Sequence, residues 1–161
     1  MLIELFRRIA GRSESAQPKT RMASIYRRRD KTYVTAASRT RDGFWLEEGA
    51  VTVLDSPDSA ALAKCVLSAV AQSRHGIPAP KNWSSHVNRV VEAAGLERYS
   101  AFAKGAVLLS VEEKDGRLRV IPHRNGGSRE GYIGLESEAL DLPAGSGDLA
   151  GAIEAAFQRC R

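Results

Sequence analysis

Cysteine is scarce in this chain: Cys65 and Cys160 are the only two among 161 residues, too few to staple a small secreted scaffold and without zinc-ligand spacing. No apolar run approaches the roughly 20 residues that a membrane-spanning helix requires. The three histidines, His75, His86 and His123, fall in separate segments without the His-x-x-x-His or Glu-x-x-His spacing of a metal site. Walker-type loops and Gly-x-Ser-x-Gly elbows are missing, and Gly126-Gly127 is an isolated pair, not a phosphate cradle. The adjacent acids Glu47/Glu48 and Glu112/Glu113 would point to opposite faces of a strand, poor geometry for two carboxylates sharing one reaction. No catalytic residue, cofactor or metal ligand is therefore assigned. The expectation is a soluble cytoplasmic protein that is not an enzyme.

What is present suits one globular domain. The chain is 43% hydrophobic and 27% charged, and a domain of this size buries about 70% of its unfolded surface without staples. Leu2, Ile3, Leu5, Phe6 and Ile9 recur at helical spacing, but Glu4, Arg7 and Arg8 interrupt them. That pattern fails the test for a secretory signal. It reads as a short N-terminal helical turn, or as an amphipathic membrane-surface or partner-binding helix.

Charge is placed unevenly. Residues 1–41 hold eleven basic and three acidic side chains, a net of +8, whereas the other 120 residues hold 13 basic and 16 acidic, a net of −3. The overall +5 thus belongs to an arm, and the body is mildly acidic. Arg27-Arg28-Arg29 has no interleaved aromatic platform of the kind single-strand binders use, so it reads as a solvated hairpin end. Residues 1–22 are expected to form a basic arm and linker, with Pro18 in a polar stretch of no apolar period. Residues 23–161 then form a single domain.

Within that domain, Ser24-Ile25-Tyr26 and Lys31–Ala36 read as a hairpin, and Phe44–Val53 as a strand bent at Glu47-Glu48-Gly49. Asp58 and its neighbours announce a helix with Leu62, Cys65, Val66, Ala69 and Val70 on one stripe. The spacing predicts a second helix over 83–94 behind Asn82, and one more turn at Tyr99–Phe102. Asp115-Gly116, between two alternating runs, signals another hairpin. Residues 125–131 read as a loop, 132–142 as containing a strand, and 148–161 as the last helix.

The halves repeat. At an offset of 87, Ser59, Leu62, Ala63, Ala69 and Arg74 align with Ser146, Leu149, Ala150, Ala156 and Arg161. Ser38-Arg39-Thr40 resembles His123-Arg124-Asn125. Each copy alone would leave one sheet face and one helix stripe exposed, and pairing them buries both. The fold class read from this is α+β, a mostly antiparallel sheet from two pseudo-repeated hairpin–strand–helix units with helices packed on it. Arg39, Arg124 and Asn125, at matching places in the copies, read as loop-fixing residues. They are also where a catalytic site assembled across the fold would be sought.

The runs Ala23–Tyr26, Tyr33–Thr40 and Asp42-Gly43-Phe44-Trp45, with Ala94-Gly95-Leu96, Tyr99–Phe102, Gly105-Ala106 and Ile121–Asn125, resemble the CdiI-type immunity proteins of bacterial contact-dependent growth inhibition. The likeness spans about Ala23 to Arg161 and omits the basic arm. It implies a protein that binds the cognate CdiA C-terminal toxin domain one to one. Such toxins are frequently nucleases, and the immunity protein masks the active site or the nucleic-acid surface. A nuclease must present positive charge to phosphates, so exposed acids on the body are the expected contacts: Glu47, Glu48, Asp55, Asp58, Glu112, Glu113 and Asp115. The alternative is a small nucleic-acid-binding α+β protein that uses its basic arm.

Overall fold

Residues Met22–Tyr26 and Thr32–Ser38 are buried without a break, as happens only in strands covered on both faces. The computed structural model describes residues 19–161, and the reading of Leu2–Ile9 lies outside them. Strands β1 (Arg21–Arg28), β2 (Lys31–Thr40) and β3 (Trp45–Asp55) are followed by α1 (Ser59–Gln72) and β4 (His75–Ile77). A 3₁₀ turn at Trp83–Ser85 leads to α2 (Arg89–Ala93) and α3 (Tyr99–Ala103). The second half runs β5 (Ala106–Lys114), β6 (Arg117–Asn125), α4 (Gly127–Glu130), β7 (Tyr132–Gly134), β8 (Leu140–Pro143) and α5 (Leu149–Phe157). The strands form one eight-stranded sheet with β3-β2-β1-β5-β6-β7 in order, β4 beside β2 and β8 beside β6. All pairings are antiparallel except β2–β4. No helix of the described residues is long and apolar enough to cross a membrane.

The duplication is visible as a pseudo-dyad. β1 and β5 lie antiparallel at the centre with Ser24 opposite Ser110, and the hairpins β1–β2 and β5–β6 extend outward from that seam. The four buried residues of α1, Leu62, Val66, Ala69 and Val70, match at an offset of 87 the four of α5, Leu149, Ile153, Ala156 and Phe157. Both helices bury these stripes against Ala23, Ile25, Val34, Leu109, Val111, Leu118 and Val120 of one sheet face. After each helix the chain returns to the sheet in the same way. Arg39 N donates to Arg74 O at 2.8 Å, and Asn125 N donates to Arg161 O at 2.5 Å. Arg39 therefore corresponds to Asn125, not to Arg124 as the sequence alignment of the two triplets has it; the register differs by one residue.

The other sheet face is covered by the segment between the halves. Tyr26, Tyr33, Ala106 and Leu108 pack there with Val90 and Val91 of α2 and Phe102 of α3. Phe102 meets Tyr26 and Tyr33 edge-on, with ring centroids 5.3 and 5.6 Å away.

Local chemistry moves several expected boundaries. The helix expected over 83–94 is broken. Asn82 accepts from Ser84 N, Ser84 Oγ and, through its carbonyl, Ser85 Oγ, and such side-chain bonds compete with helix continuation. Asn88 then starts a new helix by accepting from Val90 N and Val91 N, leaving Val87 57% exposed. Strand β1 begins two residues before Ala23, because Met22 N donates to Ser73 Oγ and Arg21 pairs with Glu113. Residues 127–130 form one helical turn inside the expected loop, two short strands share 132–143, and the last helix ends at Phe157. Asp58 does cap α1, accepting from Ala61 N at 2.7 Å. Asp58→Ala is expected to cost about 0.5–2 kcal/mol, read as a lower denaturant midpoint at unchanged m-value. A loss below that range would mean the cap is replaced by water.

Candidate functional site

Beside α2 and α3 this second sheet face opens into a cleft of about 460 Å³. Alternation in the strands decides its floor: Met22 and Ser24 of β1, Ala37 of β2, Leu108 and Ser110 of β5. Serines and alanine at the pseudo-dyad leave the depth, since no long side chain fills it. Trp45 and Glu47 of β3 form one wall, Trp83, His86, Asn88 and Arg89 another, and Tyr132 closes the end. Trp45 and Trp83 are the only two tryptophans of the chain.

Glu47 is the acidic side chain of this cleft. Its Oε1 accepts from the Tyr26 hydroxyl at 2.6 Å. Burial raises the Glu47 carboxyl above its ordinary value, partly offset by the Tyr26 and Ser24 hydroxyls. Burial likewise raises the phenols of Tyr26, Tyr99 and Tyr132, and the nearby carboxylate adds to it. No Lys, Arg or His among the described residues forms an ion pair with Glu47. Because the folded carboxyl holds its proton to a higher pH than the unfolded one, this group costs stability as pH rises through that range. Glu47→Gln should therefore gain stability over wild type as pH rises above the ordinary carboxyl range, measured by denaturant melts at each pH. A constant gap would show that Glu47 titrates alike in both states.

The seven expected contact acids separate. Glu47 stands opposite Ala37, Ala37 opposite Met22 and Met22 opposite Glu112, so Glu47 and Glu112 share the open face, about 14 Å apart across three strand spacings. Burial and the neighbouring Glu136 raise the Glu112 carboxyl. Glu48 and Glu113 point to the helix-covered side. Glu48 accepts from Nε and Nη2 of Arg74, which holds its carboxyl below the ordinary value, and Glu113 is tied to Arg21. Asp55 pairs with Lys31 at 2.8 Å, Asp58 caps α1, and Asp115 sits exposed in the β5–β6 turn with φ of 52°.

Arg39, Arg124 and Asn125 also separate. Asn125 donates to Ala103 O and Ala106 O and accepts from Gly127 N, which fixes the loop. Arg124 pairs with Glu130, and the Arg39 guanidinium lies 6.0 Å from the Trp45 ring. Ser110 Oγ approaches His123 Nε2 at 3.4 Å, while His123 Nδ1 contacts Ile121 O; burial lowers the His123 pKa. Among the described residues no three His, Cys, Asp or Glu side chains are grouped to hold a metal ion.

Sequence reading missed Trp83 as a wall residue because it fell within an expected helix. It missed the pairing of Ser24 with Ser110 because strand register is set by tertiary contacts. The available signal was parity: Ser24 and Tyr26 lie on the same strand face.

No family model and no curated protein matches the chain. Solved structures do. A protein of unknown function from Neisseria meningitidis superposes with a TM-score of 0.72 at 16% identity, covering 90% of this chain and 98% of the other. A chain of the CdiA-CT/CdiI toxin and immunity complex from Yersinia pseudotuberculosis superposes with a TM-score of 0.69 at 17% identity, covering 89% and 98%. At these identities the likeness is one of fold, and it extends over nearly the whole described chain.

Proposed function

We propose that this protein is an immunity protein that binds the C-terminal toxin domain of a CdiA protein in the cytoplasm, one to one, and neutralises it by covering its working surface. The observation that carries this is the near-complete fold likeness to a chain of a toxin and immunity complex. The second sheet face supports it: a cleft with aromatic walls holds Glu47, Glu112 stands on the same face, and neither forms an ion pair among the described residues, an arrangement suited to the basic surface of a nuclease. Exposed Asp55, Asp58 and Asp115 are proposed as outlying contacts that speed association, with Glu48 and Glu113 contributing through their paired arginines. A standard interface of about 1,600 Å² suffices for such a complex.

The test is rescue. A candidate CdiA C-terminal toxin domain, sought in the gene immediately upstream, is expressed in cells with and without this chain, and growth is scored. Restored growth, together with a purified complex of equal stoichiometry, is the expected result. Unrelieved toxicity overturns the reading.

A further inference from the structure

Two indoles and a carboxyl that pairs with no cation among the described residues line one cleft, and that combination selects for a cation. An aromatic face attracts a positive group through its quadrupole, and arginine, planar and weakly hydrated, suits indole walls better than lysine. The Glu47 carboxyl is held by Tyr26 at 2.6 Å, so it needs little ordering to accept a guanidinium. Trp83 is 55% exposed, a large apolar surface left uncovered at the cleft mouth. Arg89 is engaged with Glu92, His86 meets Trp83 edge-on at 5.9 Å, and Arg39 lies at the far limit of cation–π range from Trp45, 6.0 Å from its ring; none of the three forms an ion pair with Glu47. The floor at Ser24, Ala37 and Ser110 is too shallow in side-chain bulk to fill the space from within.

We propose that this cleft takes an arginine side chain of the bound toxin domain, its guanidinium against the Trp45 and Trp83 indoles and facing the Glu47 carboxyl. This rests on the immunity reading and names the chemistry of the contact. A guanidinium buried between aromatic walls and a carboxylate belongs to the class of contacts that dominate interfaces. Glu112, on the same sheet face, would add to the attraction of a basic surface toward the cleft.

The experiment has two arms. Because both tryptophans line the cleft, intrinsic fluorescence reports on it directly. Titration of the full chain with N-acetyl-arginine methylamide should give a saturable change at roughly millimolar concentration, the affinity of a single small contact. The isosteric, uncharged citrulline derivative should give none, and Glu47→Gln should abolish the response. An equal response to both compounds, or none to either, overturns the cation selectivity. In the second arm the candidate toxin domain of the rescue test is bound to wild type, Trp83→Ala, Glu47→Gln and Lys64→Ala, the last on the helix-covered side. A loss of tenfold or more in Trp83→Ala and Glu47→Gln, with Lys64→Ala unchanged, is the expected result. Absence of a wild-type complex overturns the immunity reading and this inference with it. A wild-type complex whose affinity is the same in Trp83→Ala and Glu47→Gln overturns the inference alone.

Discussion

Phe102→Ala is expected to remove about 3–5 kcal/mol of unfolding free energy, the range for emptying a fully buried aromatic site. Phe102 has no exposed surface, and it is the residue through which α3 holds the second sheet face, edge-on to both Tyr26 and Tyr33. Its site cannot collapse easily, because the surrounding side chains stand on strands whose spacing is set by the sheet. A domain of this kind is stable by about 5–15 kcal/mol, so the variant would lose a large share of its margin. The measurement is urea unfolding with wild type as reference. A cost under about 1.5 kcal/mol would mean that the segment between the halves repacks freely on the sheet. The effect reaches the site, since Trp83, Asn88 and Arg89 are carried by the same covering segment. Loss of its anchor should therefore loosen the cleft wall as well as lower stability.

Ile153→Ala should cost about 2–5 kcal/mol, and Ile153→Val about 0.5–1.5 kcal/mol. Ile153 of α5 is fully buried in the larger core, at the position matching Val66 of α1, which is also fully buried. The two helices contact each other as well as the sheet, so the cavity would open where the two halves of the repeat share their apolar surface. Unfolding of both variants by denaturant, monitored by circular dichroism, tests the graded loss. Equal costs for valine and alanine would point to strain relief in place of cavity formation.

Much of this architecture is legible in the residues. The stripe Leu62, Val66, Ala69, Val70 and its partner Leu149, Ile153, Ala156, Phe157 follow helical spacing, and the structure buries all eight. Asp115-Gly116 turns the second hairpin with positive φ at both positions. Short-range signals of this kind carry their own physical cause. The segment 83–94 does not, because Asn82, Ser84, Ser85 and Asn88 offer side-chain bonds that compete with the helix its valines suggest. The site was the least legible part. Which acids face solvent, which find an arginine and which stand on the open face follow from register between strands distant in sequence. Glu48 finds Arg74 and Glu113 finds Arg21 only once the sheet is assembled. Trp45 and Trp83, far apart in the chain, become neighbours of one cleft for the same reason.

The seam between β1 and β5 has a kinetic consequence. Ser24 and Ser110 face each other across it, so the chain must close a loop of some 86 residues before its central strands can pair. Loop closure of that length is an entropic barrier met before any reward from burial, and a high mean separation between touching residues slows folding. Neither half can wait in a folded state for the other, because each would expose the apolar stripe its counterpart covers. Refolding should therefore be slow and concerted, and a newly made chain would remain without its central strand pair until both ends of the seam have been synthesised and joined.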